Sequence, residues 1–442
     1  MSRKKLRFQD IFTVFNWKDE RARGRSACLL STIFSTFASQ LAMAGTIYTA
    51  FLTVNDFSIV DAGIITFLPS AAAVFVLVSP VLLERFPKRK VLLTVGRSLY
   101  YGINIIGITL IALFVHEQRA KLVCFGIVIF FSHSFNALTS GGYSVWQLNF
   151  LPDEIRPRYF SYSQIISSIF SGIVLLSSGL IADTIRGTEQ EFSVLILMRV
   201  IGLLFAVLDI VILAIPKEYP YPSTGEKIRI RNTFVFPFRH KKFMLTMMVL
   251  AFWNVTSGLT SSWTYYLMNT VEIKVTLLNA LDFIYIFFLL FVSPFWRKVL
   301  QKYSWFTMTA ICIIPTSMIT LLLAGVNKVP NPTLYFLIIQ LILQTVRVGL
   351  NLGFANFTFI NMPSENQTYF MSYYLLQLNM VVLGGQAFGT WLLYILGDSV
   401  SLFGFSLDTP AMMVVLQSVL QLFVGVLILD RKSTRLNSSH RT

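Results

Sequence analysis

Residues 192–215 read FSVLILMRVIGLLFAVLDIVILAI. Only two charges, Arg199 and Asp209, interrupt the apolar run. A helix of about 20 apolar residues crosses the hydrocarbon of a bilayer, whereas a membrane strand needs about 10 residues that alternate in polarity. This run is too long and too continuous for a strand. In lipid each backbone N–H and C=O must find its partner within the segment, so the run reads as a membrane-crossing helix.

The same reading extends outward along the chain. Comparable runs cover residues 26–54, 57–83, 91–115, 122–150, 159–183, 243–270, 276–296, 303–326, 333–361, 369–396 and 410–429. They predict an all-α membrane protein with twelve transmembrane helices. Composition agrees: 55% of the 442 residues are hydrophobic and 13% are charged, where a soluble domain carries about 25% charge. Cys28, Cys124 and Cys312 lie in apolar runs and read as packing groups, with no disulfide or metal spacing. The first run follows a polar, basic lead and is too long for a signal-peptide core, so it reads as the first span. The tail, 430–442, resembles the in-frame translation of a sequencing adapter and is set aside as an assembly scar.

The net charge is +15. Nucleic-acid binding is one source of such an excess, but the placement of Lys and Arg points to membrane topology instead. They crowd the N-terminal segment (1–25) and alternate connections: Arg85, Lys88, Arg89 and Lys90; Arg156 and Arg158; the central stretch from Lys217 to Lys242; and Arg297, Lys298 and Lys302. By the positive-inside rule both termini are cytosolic. The central stretch, 216–242, contains four prolines and reads as a linker between bundles 26–215 and 243–429.

Two features repeat across that linker. Ser79-Pro80 before a basic turn corresponds to Ser293-Pro294 before another. Leu151-Pro152-Asp153-Glu154 with Tyr159-Phe160 corresponds to Met362-Pro363-Ser364-Glu365 with Tyr369-Phe370. Matches at the same helix ends imply two six-helix bundles related as pseudo-repeats. Paired bundles with a midplane site are the layout of alternating-access carriers.

The run Pro80-Val81-Leu82-Leu83-Glu84-Arg85-Phe86-Pro87-Lys88-Arg89-Lys90 resembles the loop between the second and third helices of the major facilitator superfamily. Glu84 takes the acidic position, Arg85 the first basic one, and Lys88 and Arg89 the later ones. Pro80 and Pro87 stand where that family has glycines. The resemblance implies the major facilitator fold, a cytosolic gating loop built on Glu84, Arg85, Lys88 and Arg89 with Arg97 behind it, and a cavity lined by the first, fourth, seventh and tenth helices.

Polar residues recur at helical spacing on those four helices. The tenth carries Gln340, Gln344, Arg347, Asn351 and Thr358. The fourth carries His133, Asn136, Ser140, Tyr143 and Gln147. The seventh carries Asn254, Gly258, Ser261 and Tyr265 beside Trp253 and Trp263, and the first carries Gln40 and Tyr48. Such groups either bond between helices or line a wet cavity. Arg347 is the sharpest of them, because a mid-span arginine requires water or a partner. Asp282 in the eighth run is its expected partner and the candidate for ion coupling, with protons or sodium as the ion. Arg199 and Asp209 read as structural or snorkelling groups of a peripheral helix.

The function expected is secondary transport of a small polar solute, a sugar, glycoside or organic anion, by a monomer in the cell membrane. Drug or metabolite efflux and a non-transporting receptor or scaffold are the alternatives. A phosphate-binding loop, a metal cluster and an acid–base constellation are all missing from the sequence, so neither an enzyme nor a cofactor is expected.

Overall fold

The computed structural model describes residues 14–15, 19–84, 86, 88–148, 150–151, 155–218, 230–303, 305–357, 361–363, 367–402 and 405–430. Among them are 12 helical segments long and apolar enough to cross a membrane: Glu20–Val54, Ile59–Leu77, Lys90–Phe114, Gln118–Tyr143, Tyr162–Ile185, Glu191–Ala214, Lys241–Asn269, Val275–Val299, Phe306–Lys328, Pro332–Phe354, Tyr369–Leu396 and Thr409–Leu429. The chain is a multi-pass helical membrane protein. The tail beyond Asp430 lies outside the described residues.

The first helix begins at Glu20, earlier than hydropathy places it. Asp19 caps it, its carboxylate accepting from the Ala22 N–H at 3.2 Å. Arg25, on the second turn, is buried and donates to the Val14 and Phe150 carbonyls at 2.9 and 3.1 Å. One addition to the helices is an antiparallel hairpin, Ser399–Leu402 with Phe405–Asp408, between the last two spans.

The chain divides into two compact units. One holds Met1–Asn55 with Phe75–Ile228, and the other Asp56–Val74 with Arg229–Thr442. Chain order assigned the second span to the first bundle, but its packing groups it with the second unit. Ser70 Oγ donates to Gln386 Oε1 at 3.0 Å, and Tyr265 Oη donates to the Phe57 carbonyl at 2.6 Å.

Several spans are interrupted. The first breaks after Ala42 and restarts at Gly45, whose φ of 76° favours glycine. The second tightens into a 3₁₀ segment, Ala73–Leu77, just after Pro69. The third widens into a π segment, Gly102–Gly107. The seventh ends its first helix at Gly258 and restarts at Trp263. Each break removes a backbone bond that lipid cannot replace, so other groups must supply it.

Arg199 supplies two of the breaks at once. It is 1% exposed. Its guanidinium donates to the Ala42 carbonyl at the first-span break, to the Asn104 and Ile105 carbonyls of the π segment, and to Thr109 Oγ1. The Phe51 ring lies 4.6 Å below it. Among the described residues no carboxylate pairs with it. Arg199 is structural, as expected, but it points inward and does not snorkel.

The second unit is fastened by close backbone approach. A Cβ on Gly385 would sit 2.1 Å from the Val255 carbonyl oxygen, and one on Gly389 would sit 2.3 Å from that of Leu259. Without a hydrophobic driving force in lipid, small residues let helices gain contact this way. Gly385→Ala is therefore expected to cost about 1–3 kcal/mol, seen as a lower thermal midpoint of purified protein. Gly384→Ala, with nothing within 4 Å, should leave the midpoint unchanged.

Candidate functional site

In the first unit a carboxylate is sealed inside the helices. Asp209, on the sixth span, is 0% exposed. It receives Arg97 Nε from the third span at 2.7 Å, Ser31 Oγ from the first at 2.5 Å and Tyr101 Oη at 2.8 Å. Tyr143 of the fourth span extends the cluster, its hydroxyl 3.0 Å from Ser31 Oγ and its ring 4.8 Å from the Arg97 guanidinium. Four helices thus converge on one ion pair. A buried carboxylate needs this full set of donors, since each missing one leaves a desolvated lone pair.

This cluster revises two expectations. Asp209 does not snorkel toward water. Arg97 belongs to the buried pair and not to the gating loop. Of that loop, Arg85 and the Glu84 side chain lie outside the described residues. Lys88 is exposed and Arg89 is buried. The neighbouring Lys90 donates its N–H to Glu218 at 2.7 Å and its Nζ to the Pro216 carbonyl at 2.8 Å. The loop is therefore tied to the end of the sixth span, in its own unit.

The other first-unit candidates separate. His133 packs edge-on against Tyr100, with ring centroids 5.2 Å apart. Asn136 is half-buried and makes no hydrogen bond among the described residues. Gln40 folds over the first-span break, where its Oε1 lies 2.7 Å from the position of a Cβ on Gly45.

In the second unit the tenth span has two opposite faces. Leu334, Ile338 and Ile342 form an exposed apolar stripe. At 100° per residue, Gln340, Gln344, Arg347 and Asn351 lie on the other side. Arg347 and Asn351 are exposed there, although they lie inside the span. Both engage Tyr285 of the eighth span: the Arg347 guanidinium stands 5.4 Å from its ring centroid, and Asn351 Nδ2 donates to its hydroxyl at 2.6 Å. Gln344 is buried, with Nε2 3.5 Å from the Leu281 carbonyl and Oε1 unbonded.

Asp282 is also exposed, one turn before Tyr285. Its charge attracts that of Arg347, yet no ion pair within 4 Å joins them. The expected direct pair is absent, because Arg347 stacks on Tyr285 instead. An exposed ion inside a span is costly against hydrocarbon. Tyr285 escaped the sequence reading, since one tyrosine among the 14% aromatic residues carries no signal of its own.

The seventh-span stripe does not survive folding. The helix is interrupted between Gly258 and Trp263, so Ser261 and Tyr265 lose their helical register with Asn254. Gly258 faces the eleventh-span backbone. Asn254 lines a small recess with Tyr374 and Gln377. Trp263 stacks on Tyr266 with centroids 5.1 Å apart. Thr358 lies outside the described residues. No cluster of metal-binding side chains occurs among the described residues.

These features define a class, a twelve-span helical membrane protein with one exposed intramembrane polar face and one sealed ion pair. No family model matches the chain, and no curated protein matches it. Solved structures do. The nucleoside transporter NupG aligns at TM-score 0.64 with 13% identity, covering 93% of this chain and 98% of that one. A bacterial homologue of the iron transporter ferroportin, in its inward-facing state, aligns at 0.69 with 14% identity over 93% and 99%. The xylose transporter XylE from E. coli, inward open, aligns at 0.62 with 12% identity over 91% and 94%. The chain has the major facilitator fold, as the loop motif implied.

Removing one partner of a buried pair costs about 3–5 kcal/mol, because the other charge is left alone. Asp209→Asn is therefore expected to lower the thermal midpoint strongly, and Arg97→Met with Asp209→Leu should recover much of the loss. A double variant no better than the single would remove the pair from the account of stability.

Proposed function

We propose that this chain is a secondary transporter that moves a small polar solute by alternating access, driven by protons or sodium. One observation carries the reading: the exposed intramembrane group of Arg347, Tyr285, Asn351 and Asp282 on the eighth and tenth spans. A fold of rigid helices gains nothing structurally from an exposed ion inside a span. A carrier does, because a guanidinium and an amide anchored on an aromatic ring bind a desolvated polar solute. The solved structures of like fold are described as a nucleoside transporter, a xylose transporter and a homologue of an iron transporter, which supports transport and leaves the solute to the site.

The site favours an organic anion. Arg347 keeps a guanidinium exposed, stacked on Tyr285 and with no carboxylate within 4 Å among the described residues, so a carboxylate or phosphate can take its donors bidentately. A sugar or glycoside is the second reading, supported by the Tyr285–Asn351 couple: a ring face for stacking and an amide for hydroxyls. Asp282 is the coupling group in this scheme. The distribution of Lys and Arg supports cytosolic termini.

The purified full chain, screened by thermal unfolding against organic carboxylates, nucleosides, pentoses and hexoses, should be stabilised by one class. A ligand at a hundred times its Kd contributes about 2.7 kcal/mol. Arg347→Gln should abolish the shift for an anion. An equal shift in the variant removes Arg347 from the site. In proteoliposomes the stabilising solute should accumulate under a pH or sodium gradient, and Asp282→Asn should retain exchange while losing accumulation. Intact gradient-driven accumulation in that variant rules out Asp282 as the coupling group.

A further inference from the structure

The linker between the bundles contains a helix that the transport reading does not use. Ile230–Arg239 packs one side on the second unit. Thr233 and Pro237 are buried. Phe236 meets the Tyr369 ring edge-on with centroids 5.3 Å apart. The flank beside that buried side is unlike a solvated surface, although Phe234 and Phe238 also meet the Tyr373 ring edge-on. Ile230, Phe234 and Phe238, spaced i, i+4 and i+8, are 40%, 36% and 61% exposed. Beside this apolar stripe stand Arg231 and Arg239, and Lys241 and Lys242 follow, all exposed. Six basic residues fall between 227 and 242, with no acid until Glu272.

The helix is held at the level where the spans end. Only His240 separates it from the seventh span, and His240 Nδ1 accepts the Phe243 N–H at 3.2 Å, which fixes the joint. Tyr369 and Tyr373, which it packs against, belong to the first turns of the eleventh span. An exposed apolar stripe flanked by cations, anchored where two spans meet the membrane boundary, matches one environment. Acyl chains cover the stripe and anionic headgroups meet the cations.

We propose that Ile230–Arg239 is an interfacial helix that docks on anionic phospholipid, with Ile230, Phe234 and Phe238 in the acyl region and Arg231, Arg239, Lys241 and Lys242 on headgroup phosphates. This stands whether or not the chain transports. Three large apolar side chains, 36–61% exposed in one row beside cations, are a surface that lipid covers better than water. The run of cations from Lys227 to Lys242, with no acid inside it, gives the surface its preference for anionic lipid.

The test uses the full chain with Cys124→Ser and Phe238→Cys, labelled with the environment-sensitive dye NBD. Cys28 and Cys312 are 0% exposed and stay unlabelled. The protein is reconstituted in vesicles of phosphatidylcholine alone or with about one third phosphatidylglycerol. Nitroxide on the acyl chains should quench the label, roughly twofold more in the anionic vesicles, and salt near 0.5 M should remove the difference. Arg231→Gln with Arg239→Gln should erase the anionic preference, and the Lys pair at the same positions should keep it. A label open to iodide in both vesicles overturns the proposal. So does a blue-shifted label that acyl nitroxide does not reach, which means that protein covers the stripe. An unchanged preference in the Gln pair, or its loss in the Lys pair, overturns the electrostatic half.

Discussion

In hydrocarbon, a backbone carbonyl that leaves its helix has no water to turn to. The first unit depends on how this is met. The first span breaks at Ala42 and the third widens at Gly102–Gly107, and the carbonyls released at both places point to one guanidinium. Hydrogen bonds to a charged group contribute about 1.5–3 kcal/mol each. Arg199 can therefore carry its own desolvation by serving three carbonyls and Thr109 together. The breaks and the arginine require each other: the arginine would be stranded beside regular helices, and the breaks would be orphaned without it.

The intramembrane charges follow two different rules. Asp209 and Arg97 are closed in, with donors on every side of the carboxylate. Such a pair adds little net stability over apolar packing, yet losing either partner strands the other charge inside the helices. Asp282 and Arg347 are open, near enough for their charges to attract and too far for a bond. An arrangement that leaves both ions exposed inside a span suits binding rather than folding. The contrast separates a cluster closed in by its own donors from one left open on its helix face.

Packing in the second unit relies on shape. Gly385 and Gly389 bring the eleventh span against the carbonyls of the seventh, and Gly258 reciprocates from the other side. The interruption of the seventh span just past Gly258 lies at this seam, so the contact and the break share one location.

The run at 192–215, its eleven counterparts and the alternating basic connections were enough to determine a twelve-span helical chain, because lipid leaves a long apolar segment only one conformation. The loop from Pro80 to Lys90 then pointed to the major facilitator fold. Sequence also located Arg347 and Asn351 on one face of the tenth span, since an unbroken helix keeps its period. It misplaced Ser261 and Tyr265, because periodicity cannot register where a helix unwinds. It could not join Arg97 to Asp209, nor Arg199 to the carbonyls at Ala42 and Asn104, since a charge does not state which helix will face it. Those pairings were decided only when helices distant in the chain packed together, for there alone does burial make each ion find a partner.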